Sequence, residues 1–152
     1  MGVTKAVQDL MVAVERVRDA FARAVFVDAD PAAARTVATD DVTVEVLPAG
    51  TGASGGEALE RWLATDVVPS LPPDLAFRRV SRTGDRWQVA DEETLSFTHD
   101  RELPWLLPGV APTGRAVEVL VMTVVTVHRG KVRRVRMLTD QHGLLDRLGV
   151  DR

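Results

Sequence analysis

Cysteine is absent from the 152 residues. That excludes disulfide bridges, a thiol nucleophile and cysteine-bound metal. Tyrosine is absent too, so no phenol can serve as acid or oxyanion donor. Lysine is scarce, with only Lys5 and Lys131. No run of about 18 apolar residues occurs, so no membrane-spanning helix and no membrane partner is expected. A basic excess is also missing: 19 Lys and Arg stand against 22 Asp and Glu, for a net charge of -3. Nucleic acid is therefore not an expected partner. Residues 1–19 carry Asp9, Glu15 and Asp19 instead of the unbroken apolar core of a secretory leader. A cytoplasmic location is the expectation. The Arg, Val and Ala richness fits GC-rich coding and a bacterial source.

What is present is the balance of a globular protein. Hydrophobic residues make up 45% and charged residues 27%. The length suits one domain over residues 1–152 with a core of its own.

Residues 4–27 read as one amphipathic helix, with Val7, Leu10, Met11, Val14, Val17, Phe21 and Val25 at three- and four-residue steps. Asp30 and Pro31 supply an N-cap and a first-turn proline for a short second helix through Ala38. Val42, Val44 and Val46 alternate as a strand. Residues 48–56 read as loop. Ser54 and Glu57 have capping-box spacing for a third helix with Leu59, Trp62, Leu63 and Val67 as its buried stripe. Four β-rich segments follow, over residues 75–82, 86–98, 115–127 and 131–139. Thr83-Gly84-Asp85 and Arg129-Gly130 mark hairpin turns. A terminal helical turn over 141–148 is closed by Gly149. Helices first and an antiparallel meander afterwards make the chain α+β.

Gly50-Thr51-Gly52-Ala53-Ser54-Gly55 matches the dinucleotide-binding pattern. Its context does not: two helices precede the strand, a meander follows, and Ser70 stands where an acidic ribose ligand is needed. No cofactor is expected. No two histidines stand at ligand spacing with a carboxylate, so no metal site is expected either.

Thr39-Asp40-Asp41-Val42, Pro48 with Gly50, and Gly56-Glu57-Ala58-Leu59 resemble the NTF2-like superfamily. Phe97-Thr98-His99-Asp100, residues 105–110, Pro112-Thr113-Gly114-Arg115, Gly130-Lys131-Val132 and Asp140-Gln141 with Leu145, Leu148 and Gly149 resemble its SnoaL-like, polyketide cyclase-like branch. The resemblance spans nearly the whole chain. It implies a cone of curved antiparallel sheet around three N-terminal helices, enclosing an apolar cavity. The superfamily holds ketosteroid isomerase-like, cyclase-like and limonene epoxide hydrolase-like enzymes as well as binding modules.

Several residues become candidates for the site. The resemblance makes Asp140, at the end of the last strand, an acid/base, and an apolar cavity there would raise its pKa. It is equally placed to N-cap the terminal helix. Leu138 and Thr139 replace the aromatics the related pattern carries before that position. His99 is either an assisting base or a loop anchor. Asp91 and Glu93 share the apolar parity of Trp87, Val89, Leu95 and Phe97. Either one of them is a pocket acid, Glu93 being the candidate, or the register breaks and both lie outside, the reading slightly preferred here. The epoxide hydrolase-like arginine and aspartate, two apart, are replaced by Glu93 and Leu95. A two-residue turn at Arg129-Gly130, extended without a bulge, puts Leu120, Met122 and Val124 on one face with Val135 and Met137. Arg134, Arg136 and Asp140 then share the other face with Val119, Thr123 and Val125; a bulge would swap the assignment. Met122, Arg136 and Leu138 are candidate substrate contacts from this hairpin. Trp105, in an unusually apolar loop, is a cavity wall or an interface anchor. The expected activity is acid/base isomerisation or cyclisation of a small hydrophobic carbonyl compound. The alternatives are a ligand-binding or dimerisation module, and water activation. The expected partners are the hydrophobic small molecule and a second copy of the chain.

Overall fold

The computed structural model describes residues 4–151. Residues 1–3, part of the stretch read above for a leader, lie outside it. Helix α1 runs over Lys5–Phe26, and the Thr4 hydroxyl caps it by accepting from the Val7 N–H. Helix α2 is Pro31–Thr36, capped by the Asp30 carboxylate on the Ala33 N–H. Strand β1 is Ala38–Leu47 and β2 is Thr51–Ser54. Helix α3, Gly56–Trp62, loosens into a π turn over Leu63–Val67 and then tightens into a 3-10 turn over Val68–Ser70. Strands β3 (Ala76–Gly84), β4 (Gln88–Thr98), β5 (Ala116–His128) and β6 (Lys131–Thr139) precede α4, Gln141–Leu148.

One six-stranded sheet, in the order β2-β1-β6-β5-β4-β3, curves around α1. The sheet is not wholly antiparallel, because β6 runs parallel to β1. Residues 48–56 are not all loop, because Thr51–Ser54 pairs back on β1. That pairing also cancels the capping box. Ser54 is held opposite Thr43 in the ladder, and α3 starts after Gly55, whose φ of 96° only glycine adopts easily. The glycine pattern therefore serves a hairpin. A Cβ at Gly52 would fall onto the Val44 carbonyl oxygen.

Two β-bulges set which residues face inward. On β6 the pairing passes from Val127↔Val132 to Thr126↔Arg134, so Arg133 is the extra residue. This shift overturns the unbulged register. Val135 and Met137 join Val121, Thr123 and Val125 on the concave face, while Arg134, Arg136 and Leu138 join Leu120, Met122 and Val124 on the convex one. On β3 the shift lies between Arg79 and Ser81, leaving Val80 extra and exposed. Beyond it, Arg82 stands opposite Asp91. The β4 register does not break: Val89, Asp91, Glu93, Leu95 and Phe97 are all buried, and Trp87 alone turns out to solvent. Both acids are inside, contrary to the preferred sequence reading.

The core lies between the concave face, α1, α3 and the 99–115 loop. That loop buries Leu103, Trp105, Leu106 and Leu107. Among the described residues no helix is long and apolar enough to cross a membrane.

Candidate active site

The stripe of α1 that meets the sheet is Val14, Arg18, Phe21 and Val25, spaced four, three and four. Arg18 is thus a cation on an apolar stripe, buried to 7% exposure. Below it β4 presents two carboxylates on one face, two residues apart. Arg18 Nε lies 2.9 Å from Asp91 Oδ2 and its Nη2 lies 2.7 Å from Glu93 Oε1. The helix stripe and the strand parity complement each other in charge, which offsets the cost of burying any one of the three groups.

Asp91 has no exposure and no oxygen to spare. Arg82, turned inward by the Val80 bulge, bonds it through Nε at 2.7 Å and Nη2 at 2.8 Å. Arg82 also clasps Asp19 at 2.7 and 3.2 Å, and Arg79 Nη2 stands 3.6 Å from the same carboxylate. Burial alone would raise the Asp19 pKa. The hydrogen bonds and charge of Arg82, helped by Arg18 and Arg79, outweigh it and hold the carboxyl below its usual 3.8. The hydrogen bonds Arg82 donates to Asp91, opposed by burial and joined by those to Asp19, keep Arg82 firmly protonated.

Arg18, Asp19 and Glu93 of this network form one wall of a cavity of about 530 Å³ between α1 and the concave face. The other walls are apolar, with Phe21, Phe26, Phe77, Val125 and Met137 among them. A small extension of about 40 Å³ continues inward to Trp62 and Trp105. Phe26 links the two parts, its ring 4.8 Å from that of Phe77 and 5.7 Å from that of Trp105. Two groups on the cavity wall have bonding capacity left. Glu93 takes its hydrogen bond from Arg18 through Oε1 and faces the cavity. Thr123, 4% exposed, has a hydroxyl with no partner. A carboxylate and a hydroxyl inside an apolar chamber can take up and return a proton and can hold an oxygen.

The structure gathers Glu93 and Trp105 into this cavity and its extension, and leaves the other candidates elsewhere. Asp140 is exposed and caps α4, accepting the Gly143 N–H at 3.0 Å. It is a capping residue outside the cavity. His99 is completely buried but anchors the 99–115 loop. The Thr113 N–H and hydroxyl lie 3.3 and 3.1 Å from its Nδ1, and its main-chain oxygen accepts from Thr113 and Gly114. Burial pushes its pKa below 6.5 against the opposing charge of Asp100. Met122 stands on the convex face, and the Arg133 bulge brings Arg136 and Leu138 there beside it. Trp105 is 1% exposed and packed within its own chain, so it has no ring surface to offer as an interface anchor.

Arg18, Arg82 and Thr123 were missed in the sequence. A signal for Arg18 existed, since it breaks an apolar stripe just as Asp91 and Glu93 break theirs. Arg82 carried none, because its inward turn depends on the bulge.

The fold has close counterparts among solved structures. A protein from Jannaschia sp. CCS1, described as a SnoaL-like polyketide cyclase, superposes with a TM-score of 0.76 at 16% identity, over 100% of this chain and 99% of that one. An epoxide hydrolase from M. tuberculosis, of the LEH-like type, gives 0.66 at 17%, over 91% and 90%. A protein from Streptomyces galilaeus described as a hydroxylase gives 0.67 at 21%, over 91% and 97%. At such identities the likeness is one of fold. No curated protein is similar to the chain in sequence. The SnoaL-like polyketide cyclase family model matches residues 15–148. With that match over most of its length, on the curved sheet and chamber just described, the chain belongs to the SnoaL-like polyketide cyclase family.

Proposed function

We propose that the protein is a small-molecule enzyme that isomerises or cyclises a hydrophobic carbonyl compound, with Glu93 as the acid/base. The observation that carries this reading is the Glu93 carboxylate, fixed through one oxygen by Arg18 and facing an apolar cavity beside the unpartnered Thr123 hydroxyl. Glu93 takes a proton from the carbon next to a carbonyl. The C–H electron pair becomes an enolate, and Thr123 donates a hydrogen bond to its oxygen. In isomerisation Glu93 returns the proton to another carbon of the enolate. In cyclisation the enolate carbon bonds to a second carbonyl carbon, and the proton goes to the new alkoxide. Neither course needs an oxidant or a reductant. Asp91 does not share this role, because both its oxygens are engaged by arginine.

The test is proton exchange on a model ketone. 2-Tetralone in deuterated buffer should lose its α-proton NMR signals faster with the protein than without it. Glu93→Gln should remove about a hundredfold or more of that acceleration. Binding of the ketone with no acceleration would make the protein a ligand-binding module. Full acceleration by Glu93→Gln would remove Glu93 from the mechanism.

A further inference from the structure

We propose that the cavity selects a neutral, hydroxyl- or carbonyl-bearing apolar ligand and rejects the matching carboxylate, and that Glu93 sets this selectivity by occupying Arg18. The inference rests on the same cavity as the proposed function, and concerns which ligand class enters rather than what is done to it.

Arg18 lines the chamber's polar wall, Arg82 is bonded to the lining residue Asp19, and at first sight the two arginines suggest an anion site. Every guanidinium nitrogen of both already faces a carboxylate. Arg18 spends Nε on Asp91, Nη2 on Glu93 and Nη1 on Asp19, at 2.9, 2.7 and 3.5 Å. Arg82 spends Nε and Nη2 on Asp91, and Nη1 and Nη2 on Asp19. At the mouth, Arg23 is directed to Asp28 at 3.5 Å. A ligand carboxylate brought to the wall would meet the Glu93 carboxylate at short range in an apolar chamber, where both wall guanidiniums are already balanced by carboxylates of the protein. A neutral hydroxyl fares differently. It can donate to Glu93 and accept from Thr123, the two wall groups with capacity left. A carbonyl can accept from Thr123 alone. Discrimination thus comes from a like charge placed against the wrong ligand together with a satisfied pair for the right one.

The charge logic reverses when Glu93 is neutral. Glu93→Gln keeps the shape of the side chain but leaves Arg18 Nη2 without an anionic partner, and a ligand carboxylate can then take the vacated role.

The probes are 2-naphthylmethanol and 2-naphthoate, which share one ring system and differ in the polar end. Calorimetric titration at neutral pH should show the alcohol binding wild type at least about tenfold more tightly than the carboxylate, a gap of about 1.4 kcal/mol. In Glu93→Gln the ratio should shrink by about tenfold or invert. Equal or tighter binding of 2-naphthoate to wild type overturns the proposal, as does an unchanged ratio in the variant, or binding of neither probe. If Glu93→Gln does not fold, the wild-type ratio and Thr123→Val decide. Thr123→Val is nearly isosteric and should weaken the alcohol severalfold while leaving the carboxylate no stronger; a Thr123→Val protein that binds the alcohol as wild type does counts against the proposal. The exchange assay on 2-tetralone is read separately. Selective binding without exchange refutes the enzyme reading and leaves the selectivity standing, whereas exchange without selectivity does the reverse.

Discussion

Arg18 Nη2 lies 2.7 Å from Glu93 Oε1, although 75 residues separate them in the chain. The same guanidinium holds Asp91 through Nε. One helix residue therefore fixes two strand residues and distinguishes them, since Asp91 is enclosed and Glu93 borders open space.

Loss of Arg18 should cost stability before anything else. Arg18→Met removes the cation and leaves two inward carboxylates with less compensation. We expect a loss of about 3–5 kcal/mol in urea unfolding, the usual range when one partner of a buried pair is removed. A loss under about 1 kcal/mol would mean the pair behaves like a surface one.

His99 gives a pH dependence with a definite sign. Its folded pKa lies below the ordinary 6.5, because burial disfavours the imidazolium. The folded chain then binds fewer protons than the unfolded one as pH falls. The contribution is complete above about pH 6.5 and is lost on descending through and below that value. Thermal midpoints should drop as the pH falls below about 6.5, and His99→Asn should flatten that part of the curve. The lowered carboxylate Asp19 acts in a separate window, near and below 3.8. A wild-type curve already flat across the His99 window would rule this out.

Asp140 should behave as a cap. Asp140→Ala should cost on the order of 1 kcal/mol, and Asp140→Asn less. Neither should slow proton exchange on 2-tetralone, since the carboxylate stands outside the cavity and bonds the Gly143 N–H. Abolished exchange in a folded Asp140→Asn protein would return the catalytic role to this residue.

The convex sheet face is the proposed homodimer surface. Leu120, Met122, Val124 and Leu138 are exposed there by 36 to 52%. Arg134 and Arg136 border this band on one side, and Glu92 and Glu118 on the other. A two-fold axis through the band would set opposite charges against each other. Sedimentation at tens of micromolar should show a dimer, and Met122→Glu should shift it to monomer. A wild-type monomer would refute the pairing.

Trp105→Ala should enlarge the inner extension of the cavity and destabilise by about 3–5 kcal/mol, leaving any dimer intact because the ring is buried in its own chain. Dissociation without loss of stability would contradict that placement.

Much of the frame was legible from residue periodicity. The cap at Asp30, the capping position of Asp140 and the apolar stripe on α1 are local patterns that the structure keeps. The alternation of β4 is visible too but reads as broken at its acids, because Arg18, which offsets them, lies far away in the chain. The bulges at Val80 and Arg133 were not legible. One extra residue in a strand leaves no mark in composition, yet it reverses every side chain beyond it. That reversal is why the unbulged register groups Met122 with Val135 and Met137 instead of with Arg136 and Leu138, and why Arg82 carries no sequence signal. The strand Thr51–Ser54 was hidden for another reason: a four-residue edge strand with two small residues depends on β1 for its shape.

The parallel pairing of β1 with β6 also bears on how the molecule comes into being. β6 is the last strand to be synthesised but sits in the middle of the sheet, between β1 and β5. Until it arrives, β1 and its partner β2 have no seam with the rest of the sheet. The join is made between parts of the chain as distant as Glu45 and Arg136, 91 residues apart. Such non-local closure slows folding. The chamber, whose wall includes Val135 and Met137 of β6, is completed only at that step. A nascent chain lacking its final fifth would carry Arg18, Asp91 and Glu93 yet have no finished vessel around them.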